Sequence, residues 1–383
     1  MTALAIETAE GTGLTIAADG SYAARLARRD GAGGAGAEAW CPERWTLDGP
    51  EPYVVQLPGA QPEDPGADVL PLADGRVLIR RFMEGRHALS LLYPTGPGTG
   101  ELPLGAVECA DLTLLPPAPG GELAYALAAG EDSTAIWLVA GGAFGPEHVA
   151  QVEGRCSGGV WLDREGRMLA LDRELDGVTK AVAVDLERGG EVSPLLQITE
   201  DSNDRLLLAE PDSGLLLVRS DAPGEDRLGW GVLGSARPVR FPECLRVEDA
   251  AVTPFAVQPG QVLMPESCAV ALRIDGAAGG ASWVGVWRPA GRRLHQLAAP
   301  VGWLAGAGLW TREGILRLPY AHAEVDCGVV AVEPPEDDLN AMVTEPSHTE
   351  AAGEEPSAAS ETPAVCKPVP LQQAPLMGRL GAD

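Results

Sequence analysis

The chain has 383 residues, 45% of them hydrophobic, and a formal charge of −27 from 55 acids against 28 bases. That composition excludes a wholly disordered chain, and 48 glycines with 33 prolines argue against a helical bundle. A surface so acidic repels phosphate backbones and anionic membranes, so a protein or peptide partner, basic if charged, or a cation is the better match.

The first residues, Met1 to Glu7, contain no basic n-region and no apolar h-region, and a cytoplasmic protein is expected. The uncharged stretch Leu297 to Thr311 is broken by Pro300 and is too short to span a bilayer. Cysteines at 41, 109, 156, 244, 268, 327 and 366 never form a CxxC pair. They read as reduced, mostly buried thiols.

Leu4–Glu7 is a lone apolar strand at the start of the chain. After it, short Val-, Leu- and Ile-rich runs recur, and one turn per unit leads into an apolar strand. Those turns are Asp19-Gly20, Asp74-Gly75, Gly120-Gly121, Glu165-Gly166, Ser213-Gly214, Pro259-Gly260 and Glu313-Gly314. Their second glycines are separated by 55, 46, 45, 48, 46 and 54 residues, so seven units are present and the first and sixth hold insertions.

Each unit divides into four strands, a to d. In the third unit these are Leu112–Leu115, Leu123–Leu127, Ala135–Val139 and His148–Val152. In the fourth they are Gly159–Leu162, Arg167–Leu171, Lys180–Asp185 and Ser193–Ile198. The fifth follows with Arg205–Leu208, Leu215–Val218, Leu228–Val232 and Pro238–Phe241. Many of these runs are apolar on both faces, as a sheet sandwiched between two others requires. The expected fold is therefore all-β: a seven-bladed β-propeller over residues 1–333.

The seventh unit supplies a (Ala307–Trp310), b (Ile315–Leu318) and c (Gly328–Val332), then stops. Leu4–Glu7 placed as its strand d would close the ring. Trp137, Trp230 and Trp287 fall on c strands and suit blade-to-blade packing rather than a carbohydrate platform. Residues 334–383 read as a disordered, acidic, Pro-rich tail: 333–363 hold nine acids and no Lys or Arg. Beyond it Leu376, Met377 and Leu380 are candidate anchors of a docking peptide.

Familiar chemical motifs are missing. Gly31–Gly36 matches GxGxxG but follows a charged run and reads as a b–c loop of the first blade. There is no P-loop and no nucleophile elbow, and the five histidines form no metal-binding pair. No cofactor is expected. The connections from strand d to the next strand a converge in a propeller on one mouth of the pore. They nominate Glu108, Asp111, Arg155, Asp201, Asp204, Arg246 and Asp249 as binding residues. Cys109, Cys156 and Cys244 are expected at equivalent positions there.

In repeat length, four-strand units and strand-swap closure, residues 1–333 resemble the WD40-like and YVTN-like propellers. The WD dipeptide, the Gly-His pair, the Asp-box and the YVTN stretch are all absent, so no family's site residues carry over. The leading expectation is a monomeric, non-catalytic propeller that binds a protein or peptide. Its rivals are a propeller lyase or lactonase using pore-mouth carboxylates and a divalent cation, and a lectin.

Overall fold

The computed structural model describes residues 13–30, 38–96, 98–276 and 282–335. They form a seven-bladed β-propeller whose sheets follow one another along the chain, every pairing antiparallel. The seven turn glycines each join strand a to strand b of one blade. All seven have positive φ, from 70° to 89°, which a residue with a Cβ adopts only at a cost. Two b–c turns, Glu84-Gly85 and Asp176-Gly177, place both central residues at positive φ, as tight hairpin turns demand.

Packing follows from a period of two. On strand b of blade 4 (Met168–Leu175), Leu169 and Leu171 enter the core shared with blade 3, while Ala170 enters the core shared with blade 5. On strand b of blade 5 (Leu215–Ser220), Leu216 and Val218 face blade 4, and Leu215 and Leu217 face blade 6. Seven such apolar clusters result, one for each blade-to-blade interface. The last lies between blades 7 and 1, where Ala23, Trp45 and Leu47 meet Ala307 and Ala321. Across the same seam the Arg317 guanidinium donates to the Leu47 carbonyl at 2.7 Å. The ring is thus closed by face packing between its first and last blades. The strand proposed for Leu4–Glu7 lies outside the described residues, as do Gly31–Gly36 and the tail beyond 335.

Tryptophans occupy strand c as expected. Trp230 and Trp287 are buried and Trp137 packs half-buried between blades 2 and 3; Trp45 holds a like position in blade 1. Three readings are corrected. Pro238–Phe241 is not a strand; it makes a single bridge, Arg240 to Trp230, because Pro238 and Pro242 on either side have no N–H to give a ladder. Arg155 and Cys156 belong to strand a of blade 4 (Arg155–Trp161), since Gly154 at φ 89° turns the chain alone. Cys109, Cys156 and Cys244 are consequently not equivalent: the first is in a loop, the second in a strand, the third in a 3-10 turn (Glu243–Leu245).

If the 7–1 seam carries the ring, Trp45→Ala should lower stability by about 3–5 kcal/mol. It should do so in one cooperative transition, as followed by urea denaturation. An unchanged midpoint would show that the seam is dispensable.

Candidate functional site

Antiparallel strands fix which loops share an end of the ring. The a–b and c–d turns emerge together at one end, and the b–c and d–a connections at the other. Every binding residue nominated from the sequence belongs to the second end, and the structure distributes them along the ring. Glu108 and Asp111 lie exposed between blades 2 and 3, where the Asp111 carbonyl accepts from the Cys109 thiol at 3.4 Å. Burial, then the Asp111 charge, pushes that thiol's pKa up. Arg155 projects, exposed, from the start of its strand.

Asp201 is exposed, but Asp204 is completely buried. Its carboxylate accepts from Lys180 Nζ at 2.9 Å, Ser220 Oγ at 2.6 Å, Ser202 Oγ at 2.9 Å and the Ile198 N–H at 2.9 Å. Lys180 Nζ also donates to the Thr199 and Ser202 carbonyls at 2.5 and 2.6 Å. Because Lys180 sits on strand c of blade 4 (Val178–Asp185) and Asp204 opens strand a of blade 5 (Asp204–Glu210), the pair bolts two blades together. Such a carboxylate has no lone pair to offer a ligand.

Between blades 5 and 6, Arg246 pairs with Glu225 at 3.2 Å and Glu243 at 3.5 Å, and Arg227 takes Glu243 at 2.8 Å. The Arg227 guanidinium, ahead of Arg246, holds the Glu243 carboxyl below its ordinary value. Arg227, Arg246 and Glu225 line a cavity of about 140 Å³, and their charges are neutralised by these neighbouring pairs. Asp249 is exposed at φ 55° just before strand a of blade 6 (Ala250–Val257). The hydrogen bonds and ion pairs of the nominated residues run to their own or the adjacent blade. Among the described residues no group of His, Cys, Asp and Glu gathers that could hold a metal ion.

The opposite end holds the larger cleft, about 440 Å³, between blades 5 and 6. One wall is strand c of blade 5 (Arg227–Val232) with the irregular segment 235–240. The other wall is the long a–b connection of blade 6, including the 3-10 turn Pro265–Ser267. Trp230 forms part of the floor, and the Arg240 guanidinium lies 5.0 Å over its ring while reaching Glu266 at 3.7 Å. Leu263 and Met264 line the rim and stand out of it, 83% and 53% exposed. Leu263 has φ 56°, an uncommon conformation for a bulky residue, fixed by its N–H donating to the Asp212 carbonyl at 3.1 Å. Asp212 in turn is clamped by Arg164 of blade 4, which holds its carboxyl below the ordinary value. Cys268, next in sequence to the wall, is fully buried, and burial pushes its thiol up to about 11.

Sequence reasoning identified the insertion in the sixth unit but not this site. The apolar run expected as a strand directly after the Gly260 turn, Val262-Leu263-Met264, is not one: strand b of blade 6 begins only at Val270, which leaves this run to line the cleft.

No protein-family model matches the chain, and no curated protein sequence is similar to it. Solved structures share its fold. The β-propeller domain of the Trilobed protease from Pyrococcus furiosus, described as having an open velcro topology, is 9% identical with a TM-score of 0.53. That match covers 89% of this chain and 99% of that one. The tricorn protease is 11% identical with a TM-score of 0.51, over 87% of this chain but 34% of its own. TolB from Acinetobacter baumannii is 11% identical with a TM-score of 0.41, covering 82% and 80%. The chain thus spans the whole of a propeller domain and about a third of the tricorn chain. At these identities the likeness is one of fold.

Two outcomes follow for this part of the ring. Asp204→Ala should destabilise by about 3–5 kcal/mol, because it leaves Lys180 largely buried without its counter-charge; chemical denaturation measures this. Asp172, on strand b of blade 4, accepts the Leu206 N–H of blade 5 at 2.9 Å, and burial raises its pKa to about 6. Above that pH the group is ionised in both folded and unfolded chains and burial penalises the folded one; below about 4 it is neutral in both. Asp172→Asn should therefore raise the melting temperature at pH 7.5, and the gain should vanish by pH 4.

Proposed function

We propose that the chain is a non-catalytic interaction module of the cytoplasm that binds a protein or peptide at the cleft between blades 5 and 6. One observation carries this reading: two large apolar side chains, Leu263 and Met264, are held out beside a tryptophan-floored cleft. Exposed apolar surface costs solubility unless a partner covers it, and anchors of this kind beside a pocket are what interface centres use. Leu233 and Val262, each next in sequence to a lining residue, are also exposed and widen the apolar surface beside the cleft. The nominated residues of the other end, Asp204 and Arg246 above all, already spend their charge on neighbouring side chains. Leu376, Met377 and Leu380 remain a proposed second contact to the partner.

The test compares the tagged full chain with its Leu263→Glu/Met264→Glu variant, each used to capture proteins from the native host. The substitutions are at exposed positions, and circular dichroism should report an unchanged sheet. At least one protein retained by the natural chain should be lost from the variant. Identical capture by both would remove the cleft from the interaction.

A further inference from the structure

The geometry points to a specific partner chemistry for this cleft: an extended peptide segment whose apolar side chains are flanked by Asp or Glu. The inference rests on the reading of the cleft as the binding site, and it concerns what that site selects. The charge around it is the reverse of the charge of the chain. Arg237 and Arg240 line the outer wall, with Arg237 exposed and in no ion pair among the described residues. Arg240 is paired only loosely, at 3.7 Å, with a Glu266 that is half exposed.

A second pair of arginines belongs to a turn that a backbone contact ties to the other wall. The c–d turn of blade 6 donates the Ala290 N–H to the Glu266 carbonyl at 2.9 Å, which fixes that turn against the cleft wall. Two residues on, Arg292 and Arg293 are both exposed and without an ion pair among the described residues. In a chain with 55 acids against 28 bases, two guanidinium groups on one wall of the cleft and two more on a turn tied to the other wall leave a local excess of positive charge. A guanidinium fork donates two parallel hydrogen bonds to a carboxylate and is weakly hydrated, so it favours an acidic side chain over water at a rim. The hydrophobic part of the segment has its counterpart in Leu263 and Met264. An apolar anchor with charged flanks is how an extended segment gains both affinity and register.

The probes are three fluorescein-labelled synthetic peptides of equal length: one alternating Leu and Phe with Glu and Asp, one with Lys replacing every acid, and one with Ser replacing every apolar residue. Fluorescence anisotropy with the full chain should show saturable binding of the acidic apolar peptide alone. The Arg237→Glu/Arg293→Glu variant, altered only at exposed positions, should weaken it by about tenfold or more. The same variant should strengthen the Lys-containing peptide. Raising salt from about 50 to about 300 mM should weaken the acidic peptide on the natural chain.

Equal binding of acidic and basic peptides, preference for the basic one, or an affinity indifferent to the charge reversal would each overturn the inference. If the acidic peptide fails to bind while Leu263→Glu/Met264→Glu still abolishes protein capture, the cleft stands as a binding site and only its charge preference falls. If both fail, the cleft itself is the wrong surface.

Discussion

The whole architecture depends on the strand that is apolar on both faces. Strand b of each blade sends alternate side chains into two different cores, so no blade can bury its second face unless another blade covers it. A row of such sheets has unsatisfied apolar surface at both ends, and only closure removes it. The seam where Trp45 and Leu47 meet Ala307 and Ala321 is that closure. Its core is of the same kind as the other six.

Closure also decides where chemistry can sit. The blade faces are committed to packing, which leaves the loop ends and the outer edges. At the bc–da end, charge has been turned inward: Lys180 and Asp204 join blades 4 and 5, while Arg227 and Arg246 neutralise Glu243 between blades 5 and 6. The cleft arises at the other end from two departures from regularity in neighbouring blades. Blade 5 has no regular outer strand, so the irregular segment 235–240 stands as one wall beside Trp230, and blade 6 carries a long a–b connection, which supplies a second wall. Neither departure alone would enclose a volume.

The same distinction explains what was legible in the sequence. Seven turn glycines, each needing positive φ, mark the repeat at nearly constant spacing, and the fold follows from them. The period-two division of apolar residues between cores is visible as runs without polar alternation, such as Leu215–Val218. Asp204 was nominated because it lies in an acidic connection. Its burial depends on Lys180 and Ser220, which reach it from strands 24 and 16 residues away in sequence. Nothing local distinguishes it from Asp201, which is exposed. The cleft was illegible for a related reason, since its walls come from 230–240 and 263–267, two segments that are unremarkable until the ring sets them face to face.

Net charge is a poor guide to what such a ring attracts, because it is not evenly spread. Exposed acids such as Glu84, Glu108, Asp111, Asp176, Glu200 and Asp201 belong to the bc–da end. Arg237, Arg240, Arg292 and Arg293 belong to the end that carries the cleft. Screening in physiological salt limits each charge to roughly 8 Å, so a segment entering the cleft responds to the nearby guanidinium groups and hardly at all to carboxylates across the ring. The acids of the far end still act on approach, where they repel an acidic partner that arrives on the wrong side. An overall charge of −27 and a local preference for carboxylates are therefore compatible, and together they give the molecule one end at which an acidic, apolar segment can settle.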